Sequence, residues 1–82
     1  MSTSASPATT DLITGLLVGK FEVDPAVVRA DARMTDLLAD SLMIVEMAIT
    51  LQDELGVSAT EDELSELTFA EFSARVDARR AG

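Results

Sequence analysis

The sequence predicts an all-α domain: a small four-helix bundle with a long loop between helices one and two and a short third helix. Three observations carry this expectation. Apolar residues recur every three or four positions in three separate segments. Two Thr-x-x-Glu pairs, Thr60 with Glu63 and Thr68 with Glu71, stand where helix-opening capping boxes are expected. No segment alternates with the period of a strand over more than a few residues.

The small polar residues of "MSTSASPATT" predict a flexible tail over residues 1–8, with the domain occupying 9–80. The first helix is expected from about Thr10 to Phe21. Leu12, Ile13, Leu16, Leu17 and Phe21 make its apolar stripe, and Asp11 suits its first turn. Gly15 and Gly19 weaken it by roughly 1 kcal/mol each relative to alanine, so packing must compensate.

The loop "EVDPAVVRADARMTDLLAD" follows. Pro25 can start a single helical turn, and Val23, Val28, Met34 and Leu37 are candidate anchors to the core. A loop this long in a small domain usually has a function. The second helix is expected from Ser41 to Leu55, stopped by Gly56. The box at Thr60 opens a short third helix over 61–66. The box at Thr68 opens the last helix, to about Arg79, with Phe69, Phe72 and Val76 facing inward and Arg75, Arg79 and Arg80 suiting its C-terminal end.

Composition narrows the function. The 82 residues make one domain. With no cysteine there is no disulfide framework and no thiolate site; with no histidine the commonest general base and metal ligand are missing. Catalysis by this chain, or a metal site, is not expected. The amino terminus lacks the basic run and apolar core of a signal peptide, and no stretch approaches ~18 uninterrupted apolar residues, so a cytoplasmic protein is expected. The net charge of −9 is uneven: from Asp31 to Glu71 there are eleven acidic residues and a single base, Arg33. Such a field repels nucleic acid and steers basic protein surfaces, besides favouring solubility.

The second helix carries more apolar surface than a bundle needs. At 100° per residue, Ile44, Met47, Ala48, Leu51 and Leu55 fall in one core-facing sector. Leu42, Val45 and Ile49 cluster on another side, beside Ser41 and flanked by Glu46 and Asp53. Either the helix is buried on two sides, or this second stripe is a docking patch with an acidic rim. At the helix entrance Asp40 or Ser41 can act as N-cap. Neither makes a capping box, because Met43 and Ile44 stand three positions on. If Asp40 caps, Ser41 is the first helical residue, its hydroxyl at the positive end of the dipole, where a phosphate ester is favoured. No base is available to make that serine a nucleophile by itself, so an external enzyme must modify it.

Here the chain resembles a known family. "ADSLMIVEM" is similar to the 4′-phosphopantetheine attachment motif of acyl carrier proteins, with Asp40-Ser41-Leu42 as the D-S-L core. The likeness extends over about residues 9–78, through "KFEV", "MTDLLADSL", Val45-Glu46-Met47, "LQDELG" and "TFAEF". The resemblance implies an acyl-carrier-like bundle. It further implies that a phosphopantetheinyl transferase moves 4′-phosphopantetheine from coenzyme A onto Ser41, whose new thiol then holds an acyl chain as a thioester. By matching positions, Asp40 and Leu42 would serve transferase recognition. Leu42, Val45, Glu46, Ile49 and Asp53 would form the face read by ketosynthase, acyltransferase and tailoring enzymes. The chain itself is expected to be a non-enzymatic monomer.

Two departures stand out. Leu38 replaces the glycine usual two residues before the aspartate, and is expected to restrict the arm or alter partner choice. Met43 and Gln52 stand where the fatty-acid type often carries polar or charged residues, making this helix greasier. One lysine against five arginines, in an Ala- and Asp-rich chain, hints at a GC-rich genome, where dissociated polyketide pathways abound. A polyketide carrier is therefore the leading expectation and a fatty-acid carrier the runner-up. A cofactor-free helical adaptor binding through Leu42, Val45 and Ile49 is the alternative from another class.

Overall fold

Both ends of the helix that begins at the candidate serine follow from a local signal in the chain. In the computed structural model, which describes residues 7–38 and 40–81, five α-helices occur in the order α1 (Pro7–Lys20), α2 (Met34–Leu37), α3 (Ser41–Leu55), α4 (Glu61–Glu66) and α5 (Phe69–Ala81). The fold is all-α, an acyl-carrier-like bundle of three long helices with short ones between them. Helix α3 has the expected bounds, and Gly56 closes it in the left-handed region at φ 65°. Helix α4 also matches, with both halves of its box formed: Glu63 N–H donates to Thr60 Oγ1, and Thr60 N–H donates to Glu63 Oε1, each at 3.1 Å. The box before α5 pairs Thr68 and Glu71 in the same way. These bonds hold the Glu71 carboxyl below its ordinary pKa, the Thr68 N–H being the main cause.

The first helix departs from expectation. It begins at Pro7, so Pro7 and Ala8 are helical and not part of a flexible tail, while residues 1–6 of that tail lie outside the described residues. Pro7 suits a helix start because its missing N–H would have had no intrahelical partner. Asp11 consequently falls beyond the first turn. The inward line is Thr9, Ile13 and Leu17, at a spacing of four; Leu16 and Phe21 pack partly against the core, and Leu12 is exposed. Thr9 is held by the end of α5. Its Oγ1 donates to Asp77 Oδ1 at 2.6 Å and accepts from Arg80 Nη1 at 2.7 Å, so the buried hydroxyl is satisfied.

The long loop is ordered by two short helical pieces. Asp24 caps a 3₁₀ turn over Pro25–Val27, the single turn expected at Pro25. Helix α2, within the stretch expected as loop, puts Met34 and Leu37 into the core. Four residues are too few to produce a legible apolar period. Val23 and Val28 pack partly against the core, as anchors should. Backbone bonds then fasten the loop to the start of α5. Met34 N–H donates to Leu67 O at 3.0 Å, Phe69 N–H to Ala32 O at 2.7 Å, and Ala70 N–H to Ala30 O at 3.0 Å. An isolated bridge between Arg33 and Thr68 lies among them. N–H groups at the start of α5, which have no acceptor within their own helix, thereby fix the segment that leads to Asp40.

The core gathers Ile13 and Leu17 of α1, Met34, Leu37 and Leu38 around α2, Met47 and Leu51 of α3, Val57, Leu64 of α4, and Phe69, Phe72 and Val76 of α5. Helix α4 is locked to α5 by Glu63. Arg79 forks onto its carboxylate at 2.8 and 2.6 Å, and Arg75 Nη1 adds a bond at 3.3 Å. The Arg79 guanidinium, ahead of the other contacts, draws the Glu63 pKa from 4.5 down to about 2, and Arg79 is raised in return. This acid is buried and paired, so one of the eleven charges of the acidic stretch does not contribute to the outer field.

Candidate functional site

The site begins with a cap. Asp40 is extended (φ −141°, ψ 168°), and its carboxylate accepts from Met43 N–H at 2.9 Å. Its carbonyl takes the first helical bond, from Ile44 N–H at 3.2 Å. Of the two candidate caps, the structure thus selects Asp40. Ser41 becomes the first residue of α3 and is exposed. Its own N–H and that of Leu42 have no acceptor within the helix, as at any helix start. A free hydroxyl beside unpaired N–H groups at the positive end of a fifteen-residue helix suits an ester of phosphoric acid.

The two faces of α3 separate cleanly. Met47 and Leu51 are fully buried, and Ile44, Ala48 and Leu55 pack against the same core. Leu42 is 65%, Ile49 56% and Val45 37% exposed. Burial on both sides is therefore excluded for these three residues. Glu46 and Asp53 are exposed on the same helix, so the structure brings together all the residues expected to form an apolar stripe with an acidic rim.

Leu38 is a correction. It is 1% exposed, its N–H donates to Met34 O at 2.8 Å to close α2, and its bulk lies inside the bundle. A side chain so buried does not line the surface, so the expected obstruction of an arm there loses its support. Met34 is buried too, as a core anchor should be. Sequence reasoning missed the carbonyls of Ala30 and Ala32, which pin the loop that presents Ser41. Hydropathy carries no signal for backbone acceptors. It also passed over Val27, an apolar side chain exposed in the loop.

The family model for the phosphopantetheine attachment site matches residues 11–76. This chain belongs to that family, which includes the acyl carrier proteins. Its members carry covalently attached 4′-phosphopantetheine, and the residues at the start of α3 fit that group: an exposed hydroxyl, a capped helix start and no side chain crowding it from Leu38. The protein is thus a phosphopantetheine-carrying carrier, of a kind that works with a phosphopantetheinyl transferase and with synthase enzymes and is typically not catalytic itself. No solved structure matches the chain. Among the described residues no helix is long and apolar enough to cross a membrane, and no cluster of acids forms a candidate metal site.

Proposed function

We propose that Ser41 is the attachment residue, and that the protein is a discrete, cytoplasmic, monomeric acyl carrier of a dissociated polyketide pathway. The observation that carries the attachment reading is the exposed Ser41 hydroxyl placed first in α3 by the Asp40 cap. When bound, the arm supplies a thiol that holds an acyl chain as a thioester, chemistry that a chain without cysteine cannot offer alone. Asp40 and Leu42 flank the hydroxyl and serve transferase recognition. Leu42, Val45 and Ile49, rimmed by Glu46 and Asp53, form the face for ketosynthase, acyltransferase and tailoring enzymes. Their exposure on a helix already anchored by Met47 and Leu51 supports this role. The polyketide assignment rests on the arginine-rich base content and on the greasier helix, with Met43 and Gln52 in place of polar or charged groups. A fatty-acid carrier is the second reading, sharing every residue role.

Intact mass tests the proposal. Co-expression with a broad-specificity transferase adds one phosphopantetheine to the wild type and none to Ser41→Ala, whose helical circular dichroism stays nearly unchanged. Mass added to Ser41→Ala places the attachment elsewhere. No added mass on a folded wild type favours the cofactor-free adaptor.

A further inference from the structure

Two helix starts cap each other in the stretch of chain that leads to Ser41. The first N–H of α2, on Met34, donates to Leu67 O at 3.0 Å, and the first N–H of α5, on Phe69, donates to Ala32 O at 2.7 Å. The two bonds are symmetric about Arg33 and Thr68, the pair that forms the isolated antiparallel bridge. Each helix thus takes its first acceptor from the residue just before the other's cap position. Ala70 N–H adds a third bond to this clasp, to Ala30 O at 3.0 Å.

The two helices do not depend on the clasp equally. Helix α5 has thirteen residues, places Phe69, Phe72 and Val76 in the core and has its own Thr68–Glu71 box. Helix α2 has four residues, and Arg33 before it makes no side-chain capping bond. So short a helix does not persist by itself. Its far end is closed by Leu38 N–H on Met34 O at 2.8 Å, and Asp40 then caps α3 with Ser41 as its first residue. Opening the clasp loosens the amino-side flank of Ser41, while α3 itself stays anchored by Met47 and Leu51.

An enzyme that esterifies Ser41 has to hold the hydroxyl and both its flanks in one geometry. Ordering a loose flank on binding weakens the complex. Apparent affinity falls with the fraction of chains already in the competent arrangement. The cost appears in KM and not in kcat, because the bound carrier has the same geometry either way.

We infer that this clasp positions Ser41 for its transferase, with residues 32–34 and 67–69 acting through α2 and the Asp40 cap. The inference rests on Ser41 being the attachment residue. The double variant Arg33→Cys, Thr68→Cys tests it. The bonds on either side make 33 and 68 a non-hydrogen-bonded antiparallel pair, whose Cα atoms stand about 4.5 Å apart, within reach of a disulfide. The chain has no other cysteine. Oxidation locks the clasp, and reduction leaves it without the Thr68 box. A broad-specificity phosphopantetheinyl transferase is assayed with acetyl-coenzyme A, so that no free thiol meets the disulfide, and intact mass gives initial rates. The reduced form is expected to show a KM about 3–10-fold above the oxidised form at equal kcat, the worth of one lost cap. Both forms reach the same final extent of modification, and reductant leaves the wild-type rates unchanged. The Leu38 amide, outside the clasp, is expected to exchange with deuterium faster in the reduced form. Equal KM in the two redox forms, a difference confined to kcat, or a Leu38 amide indifferent to redox state overturns the inference. A wild type left unmodified at Ser41 overturns the attachment reading and the inference with it. If the reduced form does not fold, Ala70→Pro takes its place, removing the N–H that reaches Ala30 O in a first turn where the helix itself needs no donor. The same rise in KM over wild type is expected, and an unchanged KM overturns the inference.

Discussion

Truncating α3 one residue at a time distinguishes a docking face from a core face. Leu51 is fully buried, so Leu51→Ala removes its packed carbons and leaves a cavity; the expected cost is about 2–5 kcal/mol. Ile49 stands roughly opposite the core sector around the helix and is 56% exposed. Full burial of such a side chain is worth about 1.5–3 kcal/mol, and less than half of that is realised here. Alanine also gains a few tenths of a kcal/mol in helix propensity over isoleucine. Ile49→Ala therefore costs within about 1 kcal/mol. Val45, 37% exposed, follows with a similarly small loss for its smaller side chain. Urea melts give the stabilities, provided that the slope with denaturant is unchanged between variants. Acyl-transfer rates on the modified proteins give the other half. Slower transfer is expected from Val45→Ala and Ile49→Ala, because apolar anchors within a polar rim carry most of a transient interface's energy. An Ile49→Ala variant that loses more than 2 kcal/mol, or one that transfers at the wild-type rate, refutes the division of faces.

Other expectations follow from single residues. Gly15 and Gly19 are exposed within α1 with open space where a Cβ would stand, so Gly15→Ala and Gly19→Ala should each raise stability by about 1 kcal/mol in thermal or urea melts. Gly56→Ala should lose about 1 kcal/mol despite equally open space, because its φ of 65° penalises a side chain. Glu63 has its pKa depressed from 4.5 to about 2, so its contribution is complete above about pH 4.5 and is lost as pH falls toward 2. Screening of the partly exposed arginines limits this to about 2 kcal/mol, and Glu63→Gln should flatten that acid limb of the stability profile. Rising salt should slow association with a partner ketosynthase more than it speeds dissociation, since exposed charges are screened beyond ~8–10 Å.

Much of this fold was legible because its boundaries are written in side-chain chemistry. Thr60 with Glu63, Thr68 with Glu71 and Gly56 after Leu55 each satisfy an orphan backbone group or permit a special dihedral where the sequence leads one to expect it, and Pro25 opens the single turn expected of it. What failed was less plainly marked. The start of α1 has a local sign in Pro7, but Thr9 is held there by Asp77 and Arg80 some seventy residues away, a pairing that local periodicity cannot express. The end of α1 shows the same difficulty from the other side. Glu22 takes up the left-handed region at φ 57°, and Val23 N–H reaches back to Leu17 O, just as Val57 N–H reaches Leu51 O after Gly56. With a glutamate in place of the expected glycine, nothing in the sequence announced the same closure.

The candidate site divides along the same line. The two sectors of α3 follow from spacing, since 100° per residue is enough to sort Met47 and Leu51 from Val45 and Ile49, but which of Asp40 and Ser41 caps the helix, and that the second sector is exposed, are decided by the structure. The role of Leu38 does not follow from spacing either, because its direction is set by α2, four residues long and held through its neighbours' bonds to Leu67 and the start of α5. Once that helix forms, Leu38 closes it and turns inward, adding its bulk to the core. On the proposed function, the position is therefore expected to bear on the stability of the bundle and not on the room an arm has above Ser41. Leu38→Gly tests that distinction directly. It should lower stability by about 2–5 kcal/mol, as a buried leucine lost to the core does, with a further cost from glycine's freedom in the unfolded chain. Under conditions where the variant remains folded, the extent of modification should be unchanged. A Leu38→Gly variant of wild-type stability that is modified faster would return the residue to the surface role first expected of it.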